Sequence, residues 1–164
     1  MALTVRADDR KTREAAITKT RDAAVAKIES DDIEGAAALV GAHGDTPKGK
    51  LEWYQESAIE LITQAQILKA GQDYDGSRRA AKASIKMLAH ALKKNGVAPR
   101  AEDRANLQIQ MAQVYDTLLG DLPSARQAYQ KALRESPDNP AAQQALATYA
   151  AADSKFERIK SRKK

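Results

Sequence analysis

Cysteine is absent from this 164-residue chain, and glycine, proline and aromatic residues are few. Without cysteine the chain cannot form a disulfide framework, a zinc ribbon, an iron–sulfur cluster or a thiol nucleophile. The β-branched and aromatic side chains that fill pleated surfaces are also scarce, which argues against a β-sandwich, a β-barrel and a doubly wound sheet. The composition therefore directs attention to helical folds.

Long apolar runs are missing as well. The longest, residues 36–40, falls far short of the roughly 20 residues that span a bilayer, so we expect no membrane association. No segment combines a basic start with the apolar core of a signal peptide, and this predicts a cytoplasmic protein. Val5 and Ala7 have the spacing of a signal-peptidase site, so a periplasmic or exported protein is the alternative if the natural N-terminus carried a signal peptide.

Alanine and charged residues are abundant, and they follow a helical pattern. Apolar side chains recur three and four residues apart over almost every segment, which predicts an all-α fold. Short connections between successive helices indicate antiparallel pairs within a single domain over residues 1–164. The expected helix pairs cover residues 8–42, 51–95 and 101–136, followed by a capping helix at 140–160 and a basic tail at 160–164.

A short motif recurs at the start of the second helix of each pair. Each copy begins with an aspartate and ends with a small residue. The copies read Asp32-Ile33-Glu34-Gly35-Ala36, Asp73-Tyr74-Asp75-Gly76-Ser77 and Asp121-Leu122-Pro123-Ser124-Ala125.

The third copy resembles the second half of a tetratricopeptide repeat (TPR). The resemblance is closest over residues 107–140, less close over 55–92 and degenerate over 14–42. The first-helix pattern of the family fits only if one extra residue is allowed before Gly120. The glycine, small, aromatic, small and proline positions of the family match Gly120, Ala125, Tyr129, Ala132 and Pro137.

The resemblance implies a short right-handed superhelix of stacked helix pairs, an α-solenoid, whose first helices line a concave groove. It also implies a non-enzymatic scaffold or adaptor, without a cofactor, that binds a protein or peptide segment in that groove. The family's subgroup that grips a carboxylate uses Lys and Asn where this chain has Ile109 and Gln113, so we do not expect that activity. The candidate groove residues are Gln66, Lys69, Gln110, Gln113 and Asp116.

The net charge of +5 is unevenly distributed, because residues 76–101 carry seven basic residues and no acidic one. Arg78, Lys82, Lys86 and Lys93 follow one helix face, which we expect to be solvated and to modulate association with a partner. A nucleic-acid-associated protein using this stripe and the C-terminal tail is an alternative, although no aromatic side chains interleave the basic ones for base stacking. Self-assembly into a homo-oligomer is a further alternative.

Nothing in the sequence predicts an enzyme. Residues 44–50 nearly match the phosphate-binding pattern G-x-x-x-x-G-K, but Leu51 stands where the motif needs Ser or Thr, and Pro47 removes a backbone N–H. The two histidines, His43 and His90, lie far apart and outside any ligand cluster, so no metal is expected. His90 follows Lys86 by four residues and is expected to face solvent.

Three aromatic residues have expected structural roles. Trp53 and Tyr54, at the start of a long helix, are expected to pack in the core. Phe156, with Ile159 three residues later, is expected to provide the last packing contacts of the capping helix.

Overall fold

The computed structural model describes the backbone of residues 2–40 and 45–161, and the side chains of residues 12, 15–40 and 45–156. His43, Ile159 and the side chains of the basic tail therefore lie outside the described residues. Over the described backbone the protein is all-α and has no strand, so the all-α part of the predicted fold class is confirmed, and the stacked superhelix stays a prediction. The elements are α1 (Ala2–Glu29), α2 (Ile33–Val40), α3 (Leu51–Ala70), α4 (Tyr74–Lys93), α5 (Ala101–Val114), a π-helical turn (Tyr115–Leu119), α6 (Leu122–Glu135) and α7 (Pro140–Ser161).

The chain forms two compact units, residues 1–93 and 94–164. In the first unit, α3 packs along α4, while α1 and α2 pack on each other and on this pair. In the second unit, α5 packs along α6, and α7 packs on α6. The helix pairs predicted from the sequence are present within the units, and the single stacked domain stays a prediction.

Small side chains dominate the core of the first unit. The alanines of α2, α3 and α4 that face the neighbouring helices are fully buried, which allows the helix backbones to approach closely. Trp53 and Tyr54 are 3% and 0% exposed, and their rings meet edge to face with centroids 5.1 Å apart. Their predicted place in the core is confirmed.

The core of the second unit contains the positions that the repeat motif predicts to be buried. Ala125, Tyr129 and Ala132 are all buried, and Tyr129 and Ala132 pack with Ala105 and Ala112 of α5. The expectation for Phe156 is wrong, because its side chain is 66% exposed. Every residue from 150 to 156 is exposed, so this part of α7 buries no side chain against the described part of the chain.

The recurring aspartate performs the same task at the start of α2, α4 and α6. A helix begins with backbone N–H groups that lack partners within the helix, and a carboxylate at the preceding position can accept from one of them. The distance from the aspartate Oδ1 to the backbone nitrogen three residues later is 2.9 Å for Asp32–Gly35, 2.9 Å for Asp73–Gly76 and 3.1 Å for Asp121–Ser124.

The π-helical turn accounts for the extra residue that the repeat pattern requires before Gly120. The backbone N–H of Gly120 donates to the carbonyl oxygen of Tyr115, five residues earlier, whereas an α-helix joins residues four apart. The turn thereby accommodates one more residue than an α-helical turn. It ends at Gly120, whose φ of 65° lies in the left-handed region that favours glycine.

We expect Gly120→Ala to lower the free energy of unfolding by about 1–2 kcal/mol, because a Cβ is strained in the left-handed region. The matched control is Gly71→Ala, at the end of α3. Gly71 has a φ of −80°, and a Cβ there would make only ordinary contacts, with the nearest atom 3.5 Å away. The control should stay within about 0.5 kcal/mol of the wild type in urea denaturation. Equal losses in both variants would contradict this account of Gly120.

The cap at α6 predicts a pH dependence of stability. Hydrogen bonds from the Ser124 hydroxyl and backbone N–H lower the pKa of Asp121 below its usual 3.8. A carboxylate with a lowered folded-state pKa stabilises the fold above its unfolded pKa, and this contribution is lost as the pH falls through the folded pKa. Asp121→Ala should therefore reduce the melting temperature at pH 7, and the difference from the wild type should shrink below pH 3.8.

Asp121→Asn is the control for this prediction. Asparagine is also a good helix cap but does not titrate, so the variant should lose less stability at pH 7 than Asp121→Ala. A difference between wild type and Asp121→Ala that stays constant from pH 7 to well below 3.8 would show that the carboxylate charge contributes nothing.

Candidate partner-binding surfaces

The five candidate groove residues are distributed over both units. Gln66 and Lys69 lie exposed near the end of α3 in the first unit. Gln110 and Gln113 lie on α5 in the second unit, and Asp116 follows in the π-helical turn. Each set is therefore described within its own unit.

A line of neutral polar side chains marks the accessible face of α5 and continues into the π-helical turn. Asn106, Gln113 and Thr117 are exposed and Gln110 is half-buried, whereas most other residues of α5 are buried. Their spacing of four, three and four residues places them on one helix face. We call Asn106, Gln110, Gln113 and Thr117 the amide stripe.

The sequence reasoning identified the two central members of the amide stripe and missed the two at its ends. Asn106 lies four residues before Gln110, and Thr117 lies four residues after Gln113, so helical spacing alone could have found both. The Thr117 hydroxyl donates to the backbone carbonyl of Gln113 at 2.7 Å, which ties this end of the stripe to the helix backbone.

Asp116 is engaged in a contact within the second unit. The Tyr149 hydroxyl of α7 donates to Asp116 Oδ2 at 2.7 Å. Burial of the ring, together with this hydrogen bond and the negative charge of Asp116, raises the pKa of Tyr149 well above its usual value. Asp116 thus holds α7 against the π-helical turn.

Arg126 of α6 strengthens the attachment of α7. Its guanidinium carbon lies 5.0 Å from the centroid of the Tyr149 ring, within the range of a cation–π interaction. Both terminal nitrogens of Arg126 donate to the carboxylate of Asp153, at 2.7 and 2.8 Å. α7 is therefore held by polar contacts at Tyr149 and Asp153 in addition to its packing.

The exposed face of α3 is more apolar than the amide stripe. Ile59 and Ile67 are 52% and 58% exposed and lie eight residues apart, with Thr63 between them. The Thr63 hydroxyl donates to the backbone carbonyl of Ile59. Gln66 lies beside this line, so the α3 surface combines an amide with exposed branched side chains.

The basic face of α4 is exposed as predicted at Arg78, Lys82, Lys86 and Lys93. The prediction that His90 faces solvent is wrong. Residues four apart advance by 400° around a helix, so each step turns 40° away from the starting face, and His90 is three such steps from Arg78. The His90 ring lies 5.4 Å from the ring of Tyr54, and its buried Nε2 has no hydrogen-bond partner among the described residues.

Two clefts open on the first unit. One, of about 290 Å³, lies between α1 and α4 beside Lys82 and Lys86. The other, of about 220 Å³, is lined by α1, α2 and α3 and contains the side chains of Arg21 and Glu60. Arg21 is paired with Asp22, and Glu60 accepts a hydrogen bond from Gln64 at 2.9 Å, so the charges of this second cleft are already partnered.

Among the residues with described positions, no group of three or more His, Asp or Glu side chains could hold a metal ion. The same part of the chain has no helix that is long and apolar enough to cross a membrane. In the 44–50 segment, the Thr46 hydroxyl donates to Glu56 of α3 at 2.9 Å.

We expect Tyr149→Phe to lower the free energy of unfolding by about 1 kcal/mol, because a partly exposed hydrogen bond to a charged group is removed. The raised folded-state pKa means that the neutral phenol stabilises the fold fully below the unfolded pKa of about 10, and this contribution is lost as the pH rises further. The deficit of the variant, measured by urea denaturation, should therefore shrink above pH 10.

Tyr115→Phe is the matched control, because the half-buried Tyr115 hydroxyl makes no hydrogen bond within the described part of the chain. Its stability should equal that of the wild type. A loss as large as that of Tyr149→Phe would show that the Tyr149–Asp116 hydrogen bond is not the cause.

Comparison with protein-family models, curated proteins and solved structures finds no match to this chain. The TPR resemblance therefore rests on the residues and the capping motif described above.

Proposed function

We propose that the protein is a non-enzymatic, TPR-like binding module, and that the amide stripe of α5 binds an extended segment of another protein. The observation that carries this proposal is that the exposed Asn106 and Gln113 and the half-buried Gln110 lie along one face of a helix whose other residues are mostly buried. The stacked superhelix implied by the TPR resemblance is part of the same proposal. The three capped second helices and the π-helical turn before Gly120 support it.

Amide side chains suit an extended polypeptide because each offers two N–H donors and a carbonyl acceptor. The backbone of an extended segment presents both kinds of group and needs both kinds of partner. Neutral side chains also avoid the desolvation penalty of a charge at an interface. The stripe can therefore bind a peptide backbone with little dependence on the sequence of that peptide.

The dimensions of the amide stripe agree with this role. Eleven residues separate Asn106 from Thr117, which corresponds to about 16 Å along a helix. An extended chain rises about 3.3 Å per residue, so the stripe matches a segment of about five residues. Successive members of the stripe lie about 4.5–6 Å apart along the axis. In an extended chain, residues two apart point to the same side and are separated by about 6.6 Å, which is close to the spacing along the stripe.

The rest of α5 keeps the stripe in place. Ala105, Ile109 and Ala112 are buried in the core of the second unit, so the helix that carries the amides is fixed on its opposite side. A rigid support lowers the entropy lost when side chains are ordered on binding. Binding at the stripe thus requires adjustment of the amide side chains alone.

The proposal is tested by selecting a displayed library of random linear peptides against the full-length protein. The chemical shifts of the protein are then mapped in the presence of a selected peptide. We expect the shifted amide resonances to cluster on α5. Gln110→Ala combined with Gln113→Ala should weaken binding of that peptide by about 5- to 100-fold, because two hydrogen bonds contribute about 0.5–1.5 kcal/mol each.

The matched control is Gln127→Ala combined with Gln130→Ala, which removes two exposed amides from α6 in the same unit. This pair should leave the affinity unchanged within about two-fold, since surface substitutions remote from the contact have small effects. Selected peptides that shift α6 instead of α5, or that bind the stripe variant as tightly as the wild type, would refute the proposal.

A further inference from the structure

The cleft between α1 and α4 combines an apolar floor with a charged rim. Val25 and Ile28 of α1 and Ala83 of α4 line the floor. These residues are almost fully buried, so they are fixed in position while one edge of each faces the cleft. The floor can accommodate an apolar side chain.

One side of the rim is already neutralised. Arg79 Nε and Nη2 donate to the two carboxylate oxygens of Glu29, at 3.2 and 3.1 Å. This bridge joins α4 to α1 and closes the cleft at that end. Arg79 is therefore a structural cation, and its charge is not free to attract a ligand.

Further along α4 from Arg79, the rim carries two cations without an ion-pair partner among the described residues. Lys82 and Lys86 line the cleft, are exposed, and make no ion pair with any residue that the structure describes. They lie four residues apart on α4, so their Cβ atoms are about 5–6 Å from each other. The segment from 76 to 101 contains no acidic residue that could neutralise them locally.

We propose that this cleft binds an acidic segment of another protein, with an apolar side chain on the floor and carboxylates of the segment paired with Lys82 and Lys86. The apolar floor selects a side chain, and the two ammonium groups select the charge around it. This surface lies in the first unit and goes beyond the amide stripe, which lies in the second. The two proposals can fail independently.

The lining of the cleft favours an acidic protein segment over nucleic acid. Among the described residues that line the cleft none is aromatic, so they offer no ring on which a base could stack. A volume of about 290 Å³ fits one or two side chains.

Fluorescence anisotropy of the full-length protein tests the proposal. The probe is a fluorescein-labelled peptide with one central leucine flanked on both sides by glutamates. It should bind with an affinity that falls as salt is raised to about 0.15 M and above, because exposed charges are screened. An analogue with glutamine in place of glutamate, and one with serine in place of leucine, should each bind at least ten-fold more weakly.

Lys82→Glu combined with Lys86→Glu should weaken binding of the probe at least ten-fold without changing the melting temperature, since both side chains are exposed. The matched control is Lys131→Glu combined with Arg134→Glu on α6, which changes the net charge by the same amount at two exposed positions. At physiological salt the control should alter the affinity by less than about two-fold, since distant surface charges are screened.

Four results would overturn the proposal. The first is that the probe does not bind, and the second is that its glutamine analogue binds equally well. The third is that the control variant weakens binding as much as the Lys82 and Lys86 reversals do. The fourth is that duplex DNA or RNA displaces the probe and loses its own binding in the Lys82→Glu, Lys86→Glu protein, which would identify the surface as a nucleic-acid site. None of these results involves Gln110 or Gln113, so the amide stripe is judged separately.

Discussion

Close approach of paired helices at alanine is the constraint on which the rest of the structure depends. On α3 and α4, Ala58, Ala65, Ala80 and Ala81 are completely buried, so the helix backbones can approach closely at these positions. Such a core is set by where the small residues fall in each helix, because a larger side chain at any of these positions would separate the pair. The outer faces are then free to carry polar and charged groups.

The capping aspartates fix the residue at which each second helix begins, and thereby which small residues of that helix face the core. At Gly76, a Cβ would lie 2.3 Å from Oδ2 of Asp73, so glycine leaves room for the capping carboxylate. The third copy has a side chain at this position, and the Ser124 hydroxyl donates to Oδ2 of Asp121 at 2.7 Å. Two different residues thus satisfy the same cap, and the small residue that follows is buried in each copy.

Features that depend on local spacing could be predicted from the sequence, whereas contacts between distant segments could not. The outer bounds of the predicted pairs 51–95 and 101–136 and the start of the capping helix at 140 agree closely with the structure, because a glycine or a proline lies close to each of these boundaries. The helix position of Asp116 is predictable from local spacing, whereas its hydrogen bond to Tyr149, 33 residues away on a different helix, is not. The prediction that His90 faces solvent is wrong for the opposite reason. Residues four apart share a helix face over only one or two turns, and the pattern from Arg78 to His90 extends over three such steps.

The two proposed surfaces differ in how they respond to salt, and this follows from their chemistry. Hydrogen bonds from neutral amides act at contact distance and are little affected by ionic strength. The field of Lys82 and Lys86 reaches about 8–10 Å into solution before salt screens it, so it acts on encounter as well as on the bound state. Raising the salt should therefore weaken binding of an acidic segment at the cleft, mainly by slowing its association, and should leave the affinity of a peptide for the amide stripe almost unchanged.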